Sequence, residues 1–169
     1  LRAAVLGICE LRNGIPGGRL HVWEFFSRKQ TRVNRGTFGA ELNNAVEAGE
    51  YAMLLNGCVH ELLEGVTDAV RLNDCLNHGD MGLPVHVVID AHAVFTALTA
   101  DELSTPTERQ LLYTLRAFRD HLDGGRIAAI HRVCTTDMLA DALTKGGIAR
   151  NAILTAFAKG LWYILNREQ

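Results

Sequence analysis

Three carboxylates stand in apolar surroundings: Glu41, Asp90 and Asp141. Glu41 falls in what reads as the first turn of a long helix, between Phe38 and Ala45 on its apolar stripe. Asp90 closes the short run Val-His-Val-Val-Ile at residues 85–89, and Asp141 lies among Leu139, Ala142 and Leu143. A lone buried carboxylate is costly unless it is hydrogen-bonded, protonated or bound to a cation. Each has an ordinary reading: an acid near a helix start for Glu41 and Asp141, a turn former for Asp90. Taken together, from separate elements that could converge, they suggest a hard-cation site built from oxygen ligands. Asp137, one helical turn before Asp141, is a reserve ligand, with a helix-start acid as its plainer role.

Other groups carry weaker signals. Arg28, Lys29, Arg32 and Arg35 fall in a short stretch without an acid; with Gln30 they form a candidate phosphate contact, or simply a solvated face. Cys9, Cys58, Cys75 and Cys134 are scattered with no paired spacing, which argues against a structural zinc site and for free thiols. His121 and His131 could take part in catalysis; structural or surface roles are the plainer reading.

Positioning these groups requires a scaffold whose elements are legible in outline. Residues 2–11 and 19–27 are apolar or alternating runs on either side of a turn-rich stretch from Asn13 to Gly18, the pattern of a β-hairpin, with Leu20, Val22 and Phe26 set against Arg19, His21 and Glu24. Apolar residues at helical spacing from Phe38 to Leu63 predict a long helix, with Thr37 as its cap, Gly49 inside it and Gly57 as a kink. A shorter helix is expected over residues 66–76. Residues 85–89 read as a strand buried on both faces, as in a parallel sheet. A helix opened by Thr105 and Pro106 follows, then a strand at 126–134, a helix from Thr135 or Thr136 to Gly146, and a last helix over 152–165. This order argues an α/β fold with a mixed sheet flanked by helices.

The wording of three segments then adds a resemblance. Residues 27–42 (SRKQTRVNRGTFGAEL) resemble the ribonuclease H segment of copia-type retrotransposon polyproteins, which reads roughly W-S-S-K-K-Q and then S-T-x-A-E. Residues 135–145 (TTDMLADALTK) resemble that family's T-x-D-x-x-A-D-x-L-T-K, and residues 87–94 (VVIDAHAV) its strand carrying D-N-x-x-A, with Ala91 where Asn is usual. The resemblance spans nearly all of residues 3–150. It implies a five-stranded mixed sheet, four carboxylates holding two Mg²⁺ ions (Mn²⁺ could substitute), and hydrolysis of the RNA strand of an RNA–DNA hybrid. One ion activates water and the other stabilises the leaving oxygen. Glu41, Asp90 and Asp141 match three of the four carboxylates.

The family's first Asp, on a central first strand, has no counterpart here; Glu10 sits on what reads as the second strand. The sequence starts without Met inside an apolar segment, so the expectation is a single ribonuclease H-like domain, 1–169, cut from a polyprotein with a reverse transcriptase domain upstream. An inactive copy that keeps the fold without the metals is the alternative. An integrase of the same fold fits less well, because that class ends its carboxylate set with Glu.

Composition bounds these readings. The 169 residues are 48% hydrophobic and 21% charged, ordinary for a globular protein. The formal net charge of −2 gives no global attraction for nucleic acid, so such binding needs a local patch. No apolar run reaches the roughly 20 residues of a membrane-spanning helix, and no signal peptide is recognisable. An intracellular setting without membrane contact is therefore expected, within retrotransposon particles if the resemblance holds.

Overall fold

The computed structural model describes residues 2–29, 36–66, 68–103, 105–144 and 150–164. Its architecture is mixed α/β. Strands β1 (Arg2–Arg12) and β2 (Ile15–Arg28) form an antiparallel hairpin, followed by helices α1 (Thr37–Glu64) and α2 (Ala69–His78). Strand β3 (His86–Ile89), helices α3 (His92–Thr99) and α4 (Leu111–Asp123), and strand β4 (Ala129–Arg132) come next. The described chain closes with α5 (Asp141–Thr144), α6 (Asn151–Lys159) and β5 (Leu161–Trp162). The sheet is in two pieces: β1-β2-β5 is antiparallel, and β3 pairs in parallel with β4.

The hairpin turn is tighter than the turn-rich stretch suggests. Arg12 pairs with Ile15, leaving only Asn13 and Gly14 as the loop, at φ 53° and 77°. Two successive residues with positive φ match the right-handed twist of the flanking strands, which is why Asn-Gly serves here. Pro16 to Gly18 join β2 instead.

A register shift between Leu6 and Gly7 decides which face each side chain takes. Leu6 faces Glu24 while Gly7 faces Val22, so Trp23 is an extra residue on β2. The bulge inverts the alternation beyond it. Leu20 and Val22 pack with Trp162, Leu139 and Ile153 on one side. Phe26 packs with Ala4 and Leu6 against α1 on the other. The expected common face for Leu20, Val22 and Phe26 is thus corrected.

Helix α1 runs unbroken through Gly57 to Glu64, and Gly36 rather than Thr37 is its N-cap residue. Gly49 has a packing reason. A Cβ there would sit 3.3 Å from Ile127 Cδ1 and 3.4 Å from Phe118 Cε2, so the bare backbone lets α1 lie close to the core. That core joins Leu42 and Ala45 of α1 to Val87 and Ile89 of β3, Val94 and Leu98 of α3, and Leu115 and Phe118 of α4. Strand β3 buries Val87 and Ile89 there, while His86 and Val88 on its other face are only half-buried. The expected two-sided burial is therefore realised on one side.

Other elements depart from expectation at their ends. Helix α4 begins at Leu111 rather than Pro106. The segment after Thr135 is a turn, and helix begins only at Asp141. The expected terminal helix stops at Lys159, where Gly160 takes φ 60° and the chain turns into β5 beside Gly18 and Arg19. Helix α3 was not expected. Gly146 and Leu165, the expected ends of the last two helices, lie outside the described residues.

Helix α2 is fixed locally. Asp68 accepts hydrogen bonds from the amides of Val70 and Arg71, both 3.0 Å, satisfying two of the donors a helix start leaves open. Asp68→Ala is expected to cost α2 about 1 kcal/mol. Faster amide hydrogen exchange confined to residues 70–78 would show it; unchanged exchange would mean that the cap contributes nothing.

Among the described residues, no helix is long and apolar enough to cross a membrane.

Candidate functional site

A cavity of about 500 Å³ lies between β1 and β3, with α1 along one side and Leu20, Leu139 and Trp162 among the residues that close the other. Glu41 and Asp90 are both on its wall. Asp90 sits just past the C-terminal end of β3, the strand end outside which ligands of parallel α/β sheets gather. Its Oδ2 accepts a long, 3.4 Å hydrogen bond from the Thr135 hydroxyl. Glu41 is the fifth residue of α1, exposed beside the buried Leu42, so it lies at the edge of the apolar stripe rather than within it.

Asp141 is buried, at 8% exposure, as the first residue of α5. Ala140 lines the cavity and Asp141 does not. Ser27 ties this region to the end of β2 by donating to the Leu143 carbonyl at 3.2 Å. Asp137 is also buried, and its carbonyl accepts the Trp162 indole N–H at 3.0 Å. That bond fixes the 135–137 turn against β5.

Mg²⁺ is the cofactor the resemblance implies. The oxygen donors of Glu41 and Asp90 suit a hard cation in type. In placement the set does not suffice: among the described residues, no three His, Cys, Asp or Glu side chains gather where they could hold one ion. Glu41 and Asp90 share the cavity wall, and Asp141 does not line it.

Of the basic patch, Arg28 and Lys29 are exposed at the end of β2, whereas Gln30, Arg32 and Arg35 lie outside the described residues. Arg28 is engaged within the molecule: its Nη1 is 3.4 Å from the Tyr51 hydroxyl and 3.8 Å from Glu47, and its guanidinium lies 4.6 Å from the Phe26 ring centroid. The Tyr51 hydrogen bond is the leading cause that pushes its pKa up, keeping it a fixed positive charge.

Sequence reasoning overlooked His86. Its Nδ1 lies 2.8 Å from Nε2 of His131, with the rings stacked at 5.1 Å between centroids. The two imidazoles come from adjacent parallel strands, a pairing that no spacing in the sequence announces. One ring must donate and the other accept. Burial holds the His86 pKa below the usual histidine value. Burial, and after it Arg126, does the same for His121. In both cases the fold favours the neutral ring, so the unfolded chain binds more protons around pH 6. Their contribution is complete above the ordinary value of about 6.5 and is lost as pH falls below it. The urea midpoint is expected to drop between pH 7.5 and 5.5, and less steeply in a His86→Gln/His121→Gln variant. Identical slopes would remove these two groups from the account.

Comparison with protein-family models, with curated proteins and with solved structures finds no match.

Proposed function

We propose that this chain is a ribonuclease H-like module of a copia-type retrotransposon polyprotein that engages RNA–DNA hybrids, with a nuclease site its own residues leave incomplete. The observation that carries this reading is the placing of Glu41 and Asp90 on the wall of one cavity, from a helix start and a strand end. Three sequence segments in family order support it, and the mixed α/β architecture is compatible with it. Arg28 and Lys29 at the exposed end of β2 supply positive charge for a phosphate backbone. A hybrid differs from duplex DNA in its A-like groove and in the 2′-hydroxyls of one strand, the features such a module would read.

A specific observation favours the second reading, a module without catalysis: no three ligating side chains meet among the described residues. One experiment addresses both. Anisotropy of a labelled RNA–DNA hybrid is expected to show salt-dependent binding stronger than that of a DNA duplex of the same sequence. The same samples with Mg²⁺ are expected to show no substantial cleavage. Equal, weak binding to both duplexes would sink the hybrid reading; robust cleavage abolished by Asp90→Asn would sink the claim of an incomplete site. Arg28→Ala/Lys29→Ala is expected to lower the salt slope by about 2, roughly 1 per cation. An unchanged slope would place the phosphate contacts elsewhere.

A further inference from the structure

Two phenylalanines meet at the surface where α6 lies against the hairpin. Phe25 of β2 and Phe157 of α6 form an edge-to-face pair, with 5.3 Å between ring centroids and 77° between planes. The two residues are 52% and 48% exposed. Exposed Leu154, three residues before Phe157, lies on the same side of the helix. Helix α6 thus buries Ile153 and Ala156 against Leu139 and Trp162 while turning Leu154 and Phe157 outward. Contiguous apolar surface of this kind marks a contact site.

From this pair and the charge around it, we infer that the face formed by α6 and β2 binds single-stranded nucleic acid. An unpaired base stacks on the phenylalanines, and its flanking phosphates are drawn to basic side chains. Charge is the first reason for that occupant. From Ala142 to Ile164 the sequence has no acid, and its basic residues are Lys145, Arg150 and Lys159. Arg150 and Lys159 stand exposed at the two ends of α6. Glu24, next to Phe25 in the chain, belongs to the other face of the hairpin. It pairs with Leu6, which packs toward α1. A basic surface around exposed rings is the composition of single-strand binding sites, where rings supply stacking and cations follow the backbone.

Ring geometry is the second reason. In an edge-to-face pair, one ring gives its edge and keeps both faces uncovered by the contact. The other ring keeps one. With about half of each residue exposed, such a face is reachable by a base. The pair also lies near the candidate site. Phe25 shares its side of β2 with Ser27, about 7 Å further along the strand. Ser27 donates to the Leu143 carbonyl of α5, the short helix that Asp141 begins. Every base has a π-face, so this contact tolerates any sequence and depends strongly on salt. It does not require the nuclease reading, because a lone strand offers bases and phosphates whether or not a duplex lies nearby.

The test uses the whole chain and a fluorescein-labelled oligothymidylate of about ten nucleotides. Saturable anisotropy is expected, weakening as salt rises. A strand of the same length built from abasic sites keeps the phosphates and removes the stacking. It is expected to bind at least about tenfold more weakly. Phe25→Ala/Phe157→Ala is expected to lose affinity to a similar degree, whereas Phe25→Tyr/Phe157→Tyr, which keeps the rings, retains most of it. Both rings lie at the surface, so neither substitution opens the core. Arg150→Gln/Lys159→Gln is expected to lower the salt slope by about 1.4, roughly 0.7 per cation. No saturable binding, equal affinity for the abasic strand, or full affinity in the alanine variant would each overturn the proposal. So would self-association that the alanine variant abolishes and the oligonucleotide does not displace, since the face would then join two copies of the chain. Should the alanine variant fail to fold, the comparison with the abasic strand decides alone. The variants leave Arg28 and Lys29 in place, so failure here and failure of the hybrid reading are distinguishable.

Discussion

Phe118→Ala is expected to destabilise the protein by about 3–5 kcal/mol, the range for removing a fully buried aromatic ring from a packed core. Phe118 is 1% exposed, on the face of α4 that meets Leu42, Val87, Val94 and Ile127. It also lies beside Gly49, whose missing Cβ lets the Phe118 ring sit against the α1 backbone. The cavity left behind could collapse only if α1 or α4 moved, and both are held by the same cluster. A fall in Tm of roughly 10 °C should accompany the loss, read by far-ultraviolet circular dichroism. A shift of only a degree or two would mean that the core is looser there than the packing indicates. Exposed Tyr113 on the same helix is the internal control, since Tyr113→Ala should change little.

Gly7→Ala is the second large expectation, and its cause is different. Gly7 sits at the register shift of the hairpin, and a Cβ there would lie 2.4 Å from the His21 carbonyl oxygen. That oxygen is backbone, so no side-chain rotation relieves the clash. The strands must separate or the bulge must move. The expected cost is about 2–3 kcal/mol, the scale of overpacking in a fixed frame. Because a shifted bulge would invert the β2 residues between its old and new positions, lost protection of β1 and β2 amides is expected beyond the immediate neighbours. A stable Gly7→Ala protein with unchanged exchange would show that the register is set elsewhere, by the Asn13-Gly14 turn alone.

Much of the scaffold was readable because short-range rules govern it. Asn13-Gly14 specifies a two-residue hairpin turn whatever lies around it. The stripe through Leu42 and Ala45 calls for a helix packed on one side, and the β-branched run before Asp90 calls for a strand. Glu41, Asp90 and Asp141 could be singled out because acids in apolar surroundings need a reason. Where local rules failed, a competing tertiary contact decided. Residues 161–162 continue a helical pattern, but Gly160 turns the chain so that Trp162 reaches the Asp137 carbonyl and Leu161 pairs beside Arg19. The stretch from Thr135 carries good cap residues, yet it stays a turn held by that indole.

The sequence by itself therefore determined the order and kind of the main elements, the hairpin turn and the identity of the candidate acids, since each depends on residues close in the chain. Only the tertiary structure decided the rest. It set the bulge at Trp23 that sends Phe26 and Leu20 to opposite faces, and it paired His86 with His131 across two strands. It brought Glu41 and Asp90 to one wall while leaving Asp141 outside, and it held β1 and β3 apart with their edges facing one space. The reason is common to all of these. Side-chain face and strand register are set by partners distant in sequence, and one extra residue in a ladder inverts every position beyond it.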